Sequence, residues 1–171
     1  MAFIRKASFV DSVILAEIGK LSFVQSHGTS AAPEEIEKYI QKHMSEEVFK
    51  AELANPLHGY HILEYNGEPV GYSKIILDAD HKDISMKGLT KLERIYLLEK
   101  FHGLKLGHRL FEYNLQLSKA AGQVGMWLFV WVKNTKAINF YIRLGFEISG
   151  SHDFQISENH SNPNHILLLR Y

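Results

Sequence analysis

From Tyr96 to Tyr113 the chain reads YLLEKFHGLKLGHRLFEY: an apolar strand, a short turn carrying Gly103 and Gly107, and a basic amphipathic helix. That order of elements is how a chain seats a phosphate. Main-chain N–H groups of the turn point at the anion, and the helix N-terminus adds roughly half a positive charge. The candidate seat consists of His102, Gly103, Leu104, Lys105, Leu106, Gly107 and His108. Lys105 stands where a phosphate-cradling turn would carry a further glycine. Glycine is needed only where φ is positive or where a Cβ would strike the ligand. A lysine is therefore admissible if the backbone at 105 is already helical, and its ammonium then contacts the phosphate directly. The stretch lacks the Gly-Lys-Ser/Thr of a nucleoside-triphosphate loop and the Gly-x-Gly-x-x-Gly of a dinucleotide fold, which excludes both.

Ten histidines raise the question of a metal. The closest pair, His58 and His61, falls at a strand start, where positions three apart face opposite sides. No carboxylate-rich motif completes a site, so no metal is expected; His102 and His108 flank the loop, where they either assist its electrostatics or are simply solvated. The absence of cysteine excludes disulfides, thiolate zinc sites and a cysteine nucleophile. Nineteen basic residues balance nineteen acidic ones, so no global field draws nucleic acid or an anionic membrane, and recognition of charge must be local. No segment reaches the ~20 apolar residues of a membrane span. These features point to a soluble, cytoplasmic protein without nucleic-acid or membrane partners.

The elements that must position the loop follow from periodicity. AFIRKAS reads as a strand, and a helix follows with Ser8 as N-cap and Val13, Ile14, Ala16, Ile18 and Leu21 at helical spacing. Pro33 suits the first turn of a helix through PEEIEKYIQKHM, and SEEVFKAEL makes another. Two β-rich runs around Asn66-Gly67 form a hairpin, because that pair tolerates positive φ at both turn positions. KLERIYLL is a strand, followed by the loop and a helix whose Leu106, Leu110, Tyr113, Leu117 and Ala121 share a face. MWLFVWV is a central strand. NTKAINFYIRLG is a helix ended by Gly145 as a C′ residue. FEISGSHDFQI and HILLLRY form two antiparallel strands joined by SENHSNPN. The expectation is a single α/β domain over residues 1–171, a mixed sheet of about seven strands with helices on both faces.

From Leu92 to Phe146 the sequence resembles the GNAT superfamily of N-acetyltransferases, whose pyrophosphate loop follows Gln/Arg-x-x-Gly-x-Gly/Ala. His102 stands at the Gln/Arg place, Lys105 at the first glycine and Gly107 at the last. VKNTKAINFYIRLGF matches the family's asparagine-to-tyrosine helix, with Asn134, Ala137, Phe140, Tyr141, Gly145 and Phe146 in step. LERIYLL together with WLFVWVKN resembles the PaiA-type polyamine acetyltransferase branch.

The resemblance implies a GNAT-like acyl-CoA N-acyltransferase fold with acetyl-CoA as co-substrate. Two central parallel strands, 91–98 and 126–132, would splay so that the ligand enters between them. Leu97 matches the residue at the family's strand bulge, where a freed amide meets the pantetheine arm and polarises the thioester carbonyl. Tyr141 is implied as general acid, beside the plainer reading of a packed core aromatic: the departing thiolate needs a donor of comparable pKa, and an unperturbed phenol at ~10 suits. Asn134 is implied as a pantetheine contact, beside its ordinary role as an N-cap. Glu93 is implied as general base, beside the plainer reading of a strand glutamate paired with Arg94. The function implied is acetyl transfer to a primary amine of a small molecule, a polyamine foremost. The alternatives are a silent CoA-binding sensor, since His102 and Lys105 depart from the loop pattern, and an enzyme acting on peptide or protein amines. MWLFVWV and the C-terminal strands would tolerate a homodimer interface.

Overall fold

The computed structural model describes all 171 residues. The strands are β1 (Ala2–Lys6), β2 (His58–Tyr65), β3 (Glu68–Ile76), β4 (Leu89–Leu97), β5 (Gly125–Trp131), β6 (Glu147–Ser157) and β7 (His160–Arg170). The helices are α1 (Ser12–His27), α2 (Pro33–His43), α3 (Glu46–Leu53), α4 (Leu106–Ala120) and α5 (Thr135–Arg143). The strands make one mixed seven-stranded sheet in the order β1-β2-β3-β4-β5-β7-β6. β4 runs parallel to β5, while the β1–β2, β5–β7 and β6–β7 ladders are antiparallel. The chain divides into two compact units, Met1–Ile75 with Arg94–Asn114, and Ile76–Glu93 with Leu115–Tyr171, so that β4 and α4 supply residues to both.

In the first unit, Asn66 and Gly67 adopt φ of 52° and 84° and close the β2–β3 hairpin as the Asn-Gly pair predicts. Neighbouring residues of β2 point to opposite faces of the sheet. The Tyr60 ring meets Phe49 of α3, and the next residue, His61, meets Tyr113 of α4. α3 and α4 therefore cover opposite faces. Leu106 and Leu110 of α4 pack with Ala2, Leu63 and Val70, and Ile95, Leu97 and Phe101 close the cluster. On α1 the buried stripe keeps Ala16 and Ile18 of the expected residues and adds Leu15, Gly19 and Phe23, while Val13 and Leu21 are about half exposed.

The entry to α1 is fixed by charge. Asp11 is buried, accepts two hydrogen bonds from the Arg5 guanidinium at 2.8 and 2.9 Å, and accepts the Ser8 N–H at 2.7 Å. The Arg5 hydrogen bonds foremost, with the Ser8 bonds helping against desolvation, hold its carboxyl down at about 2 against an ordinary 3.8. A depressed folded-state pKa means that this stabilisation is complete above the unfolded value near pH 4 and drains away as pH falls toward 2. Asp11→Asn is expected to lose about 2 kcal/mol at pH 7. The difference from wild type should shrink on acidification, as read by urea denaturation at pH 7 and pH 3.

In the second unit β7 inserts between β5 and β6. It begins at His160, so most of the tract SENHSNPN, expected as a connection, is strand, and only Glu158 and Asn159 turn. Pro163 is tolerated because it supplies a carbonyl there, accepting the Val132 N–H at 3.0 Å. On α4 the expected Leu106 and Leu110 are buried, but the stripe continues through Asn114 and Ser118, both fully buried, whereas Ala121 is exposed. Each polar group is satisfied. Ser73 Oγ donates to Asn114 Oδ1 at 3.1 Å in the first unit; in the second, the Ser118 hydroxyl lies 2.6 Å from those of Thr90 and Tyr171. Gly145, at φ 95°, ends α5 as expected.

Candidate active site

The loop is built where β4 ends. After Leu97 a single 3-10 turn (Glu99–Phe101) reverses the chain, and the Leu98 N–H donates to the Val70 carbonyl at 2.9 Å. The His102 ring then reaches back, its Nε2–H donating to the Leu97 carbonyl at 2.9 Å. A carbonyl only accepts, so this bond places the proton on Nε2. The start of the loop is thereby tied to the end of the strand.

Gly103 has φ 84° and Lys105 φ 59°. The expectation that position 105 already has helical backbone is therefore corrected: Lys105 is in the left-handed region, where a Cβ crowds the carbonyl and glycine is favoured. The first intrahelical bond of α4 runs from the Arg109 N–H to the Lys105 carbonyl at 3.1 Å. The amides of Leu106, Gly107 and His108 thus precede any intrahelical acceptor and are the groups an anion would meet. Leu106 is buried and anchors the helix, whereas His102 through Lys105 are exposed. Amides ahead of the first intrahelical bond of an anchored helix, beside the exposed residues His102 to Lys105 and with Gly103 open on its Cβ side, fit a pyrophosphate.

Lys105 gives a direct test of this backbone. Lys105→Gly and Lys105→Ala both remove one exposed charge, and both should weaken coenzyme A binding by the same modest factor, worth about 0–1 kcal/mol. Only glycine relieves the left-handed conformation, so the glycine variant should be the more stable by about 1 kcal/mol in thermal denaturation. Gly107→Val, which adds a Cβ beside the amides, should cost more affinity than either in calorimetric titration. A glycine variant less stable than the alanine one would contradict the backbone argument.

The remaining sequence-predicted residues lie in the second unit. The parallel ladder between β4 and β5 is short: it pairs Leu89, Thr90 and Lys91 with Gly125, Met126 and Trp127, although β5 continues to Trp131. Glu93 follows on β4, and its Oε2 lies 3.4 Å from Lys91 Nζ, both side chains being about one quarter exposed. Asn134 caps α5, its Oδ1 accepting the Ala137 N–H at 3.2 Å. That bond occupies the amide oxygen in the capping role. Tyr141 is buried on α5, its ring edge-on to Phe146 at 5.5 Å and to Phe140 at 5.3 Å. The first unit thus brings together Leu97, His102 and the loop; the second holds Glu93, Asn134 and Tyr141.

Two groupings were missed by sequence reasoning. In the first unit Arg94 donates to the Tyr60 hydroxyl at 3.1 Å and lies 3.6 Å from Glu52, whose carboxylate also meets Lys74 at 3.0 Å. Burial foremost, and the neighbouring carboxylate, push the Tyr60 phenol far above its usual range, with Arg94 opposing. In the second unit Lys91 lies over the rings of Trp127 and Phe129. The alternation of Lys91 with Glu93 on one strand face was the available signal. His61, by contrast, is buried against Tyr113, and desolvation holds it down to about 4. No group of three or more histidines and carboxylates is placed to hold a metal ion, and no helix is long and apolar enough to cross a membrane.

Comparison with known proteins bears on the same elements. The model of the acetyltransferase (GNAT) family matches residues 25–146. An uncharacterised N-acetyltransferase of Lactobacillus delbrueckii subsp. lactis is 31% identical over 142 residues, 82% of each chain. The spermine/spermidine N(1)-acetyltransferase of Bacillus subtilis is 28% identical over 93 residues, 54% of this chain and 61% of the relative. Among solved structures, the PaiA N-acetyltransferase of Thermoplasma acidophilum in complex with coenzyme A superposes with a TM-score of 0.80 at 21% identity, covering 100% of this chain and 99% of that one. The family model spans the loop, the strand that precedes it and the helix of Asn134 and Tyr141, and with the relative at 31% identity it establishes that this chain belongs to the GNAT family of N-acetyltransferases.

Proposed function

We propose that the protein transfers the acetyl group of acetyl-CoA to a primary amine of a small molecule, with polyamines as the leading acceptor class. The observation that carries the cofactor part is the bond from the His102 ring to the Leu97 carbonyl. It joins a loop of exposed residues to the strand end whose N–H groups would meet the thioester. The polyamine part is supported by the partial identity with the spermine/spermidine enzyme. A cytoplasmic location belongs to the same reading.

In this reading the amides of Leu106, Gly107 and His108 hold the pyrophosphate and Asn134 Nδ2 meets the pantetheine. The Leu97 N–H donates to the thioester oxygen as negative charge develops there, the interaction that lowers the barrier most. Glu93 accepts the proton of the attacking amine as the N–C bond forms. The C–S bond then breaks, and the Tyr141 hydroxyl gives its proton to the leaving sulfur. Solvent returns a proton to the phenolate and removes one from Glu93, leaving an amide and free coenzyme A.

Thiol release from acetyl-CoA, followed across monoamines, diamines, polyamines and short peptides, tests the proposal. Turnover with spermidine above the other acceptors is the expected result. Coenzyme A binding without thiol release for any amine would identify a sensor, and preference for peptides would move the acceptor class.

A further inference from the structure

In the second unit, two rings and a carboxylate flank one ammonium, and two histidine rings pack against those rings. Lys91 Nζ lies 5.2 Å from the Trp127 ring centroid, 5.3 Å from that of Phe129 and 3.4 Å from Glu93 Oε2. His152 stacks on Phe129 at 4.2 Å with an interplanar angle of 10°. His81 stands edge-on to Trp127 at 4.8 Å and to Phe129 at 5.6 Å. The rings are held in place: Trp127 Nε1 donates to the Ala79 carbonyl at 2.6 Å, and His81 Nδ1 accepts the Asp83 N–H at 3.2 Å. Burial, with the nearby His152, Lys82 and Lys91, favours the neutral form of His81 against Asp83. Aromatic faces beside a carboxylate are the chemistry that binds an organic ammonium. Here the chain's own lysine fills that place, and its side chain remains about one quarter exposed, so the box opens to solvent.

We propose that Lys91 is a specificity-determining residue, its ammonium closing from within an organic-cation box made by Trp127, Phe129 and Glu93, with His81 and His152 packed against the two rings. The proposal rests on the reading of Glu93 as the carboxylate on the acceptor side. A diamine whose second ammonium reaches the box must compete with Lys91 for the ring faces and for Glu93, so the resident cation disfavours it, whereas the longer chain of a polyamine carries a charge past the box. Without Lys91 the same walls receive the second ammonium of the diamine.

Lys91→Met keeps an apolar stem of similar length and removes the charge. Titrating the full-length variant with tetramethylammonium, followed by tryptophan fluorescence, should show binding at least tenfold tighter than wild type. Adding Glu93→Gln should erase the gain. Lys91→Gln serves as the second variant if the methionine form does not fold, and Lys91→Arg, which keeps a cation over the rings, should stay closed. In kinetics the KM for a diamine should fall at least tenfold relative to that for a monoamine of the same chain length. Equal tetramethylammonium affinity in wild type and in the charge-free variants would overturn the box even if acetyl transfer proceeds. Tighter binding in a protein that acetylates no amine would uphold the box while removing the acetyltransferase reading.

Discussion

Tyr141→Phe is expected to lower kcat by ~10²–10⁴ while leaving the fold and acetyl-CoA affinity in place, the loss typical of a general acid. The ring is buried and edge-on to Phe146 and Phe140, contacts that phenylalanine keeps. Packing is therefore a poor explanation for a large kinetic effect. A hydroxyl that merely held the sulfur equally in ground and transition states would instead raise KM and spare kcat. A hydroxyl with only a packing role would change neither. Steady-state kinetics at saturating acceptor, beside a coenzyme A titration, separates these outcomes, and an unchanged kcat would remove Tyr141 from the mechanism.

The helix that carries Tyr141 was legible because its signals are local. Asn134 caps its start and Gly145 its end, and both act within one turn of the residues they control. The Asn66-Gly67 hairpin was legible for the same reason. On α4 the buried stripe was legible at Leu106 and Leu110 but not beyond, because a search for apolar spacing passes over Asn114 and Ser118. Those two are buried only because Ser73, Thr90 and Tyr171 arrive from distant parts of the chain to satisfy them. The first half of β7 was hidden by Asn162, Pro163 and Asn164, whose turn-like composition yields to a ladder with β5 and β6.

Within the candidate site the division is similar. The loop and its glycines could be read directly, but the conformation of Lys105 could not, since left-handed backbone at a lysine is imposed by the turn around it rather than favoured by its side chain. The rings at Lys91 are those of Trp127 and Phe129, packed by His81 and His152, which are separated from them and from each other by tens of residues and carry no common motif. The bond from the His102 ring to the Leu97 carbonyl spans only five residues, yet it depends on the intervening 3-10 turn to bring ring and carbonyl together.

Gly71 is the second position where one substitution should have a large effect, and it acts through the same strand end. A Cβ there would lie 2.4 Å from the Tyr96 carbonyl oxygen and 3.2 Å from Leu97 Cα. Both are main-chain atoms, so no rotamer change relieves the collision, and β3 and β4 must move apart where Leu98 bonds to Val70. Gly71→Ala should therefore cost about 3 kcal/mol or more, roughly a 10 °C fall in Tm for a chain of this size. Because the displaced segment includes Leu97 and the carbonyl that holds His102, coenzyme A affinity should fall as well. Gly67→Ala is the matched comparison: its φ is 84° but nothing lies within 4 Å of the added Cβ, so it should cost about 1 kcal/mol and leave affinity unchanged. Thermal denaturation and calorimetric titration of the two variants separate crowding at the strand end from loss of glycine as such. A Gly71→Ala protein with wild-type Tm and wild-type affinity would show that the approach of β3 to Leu97 does not shape the cofactor seat.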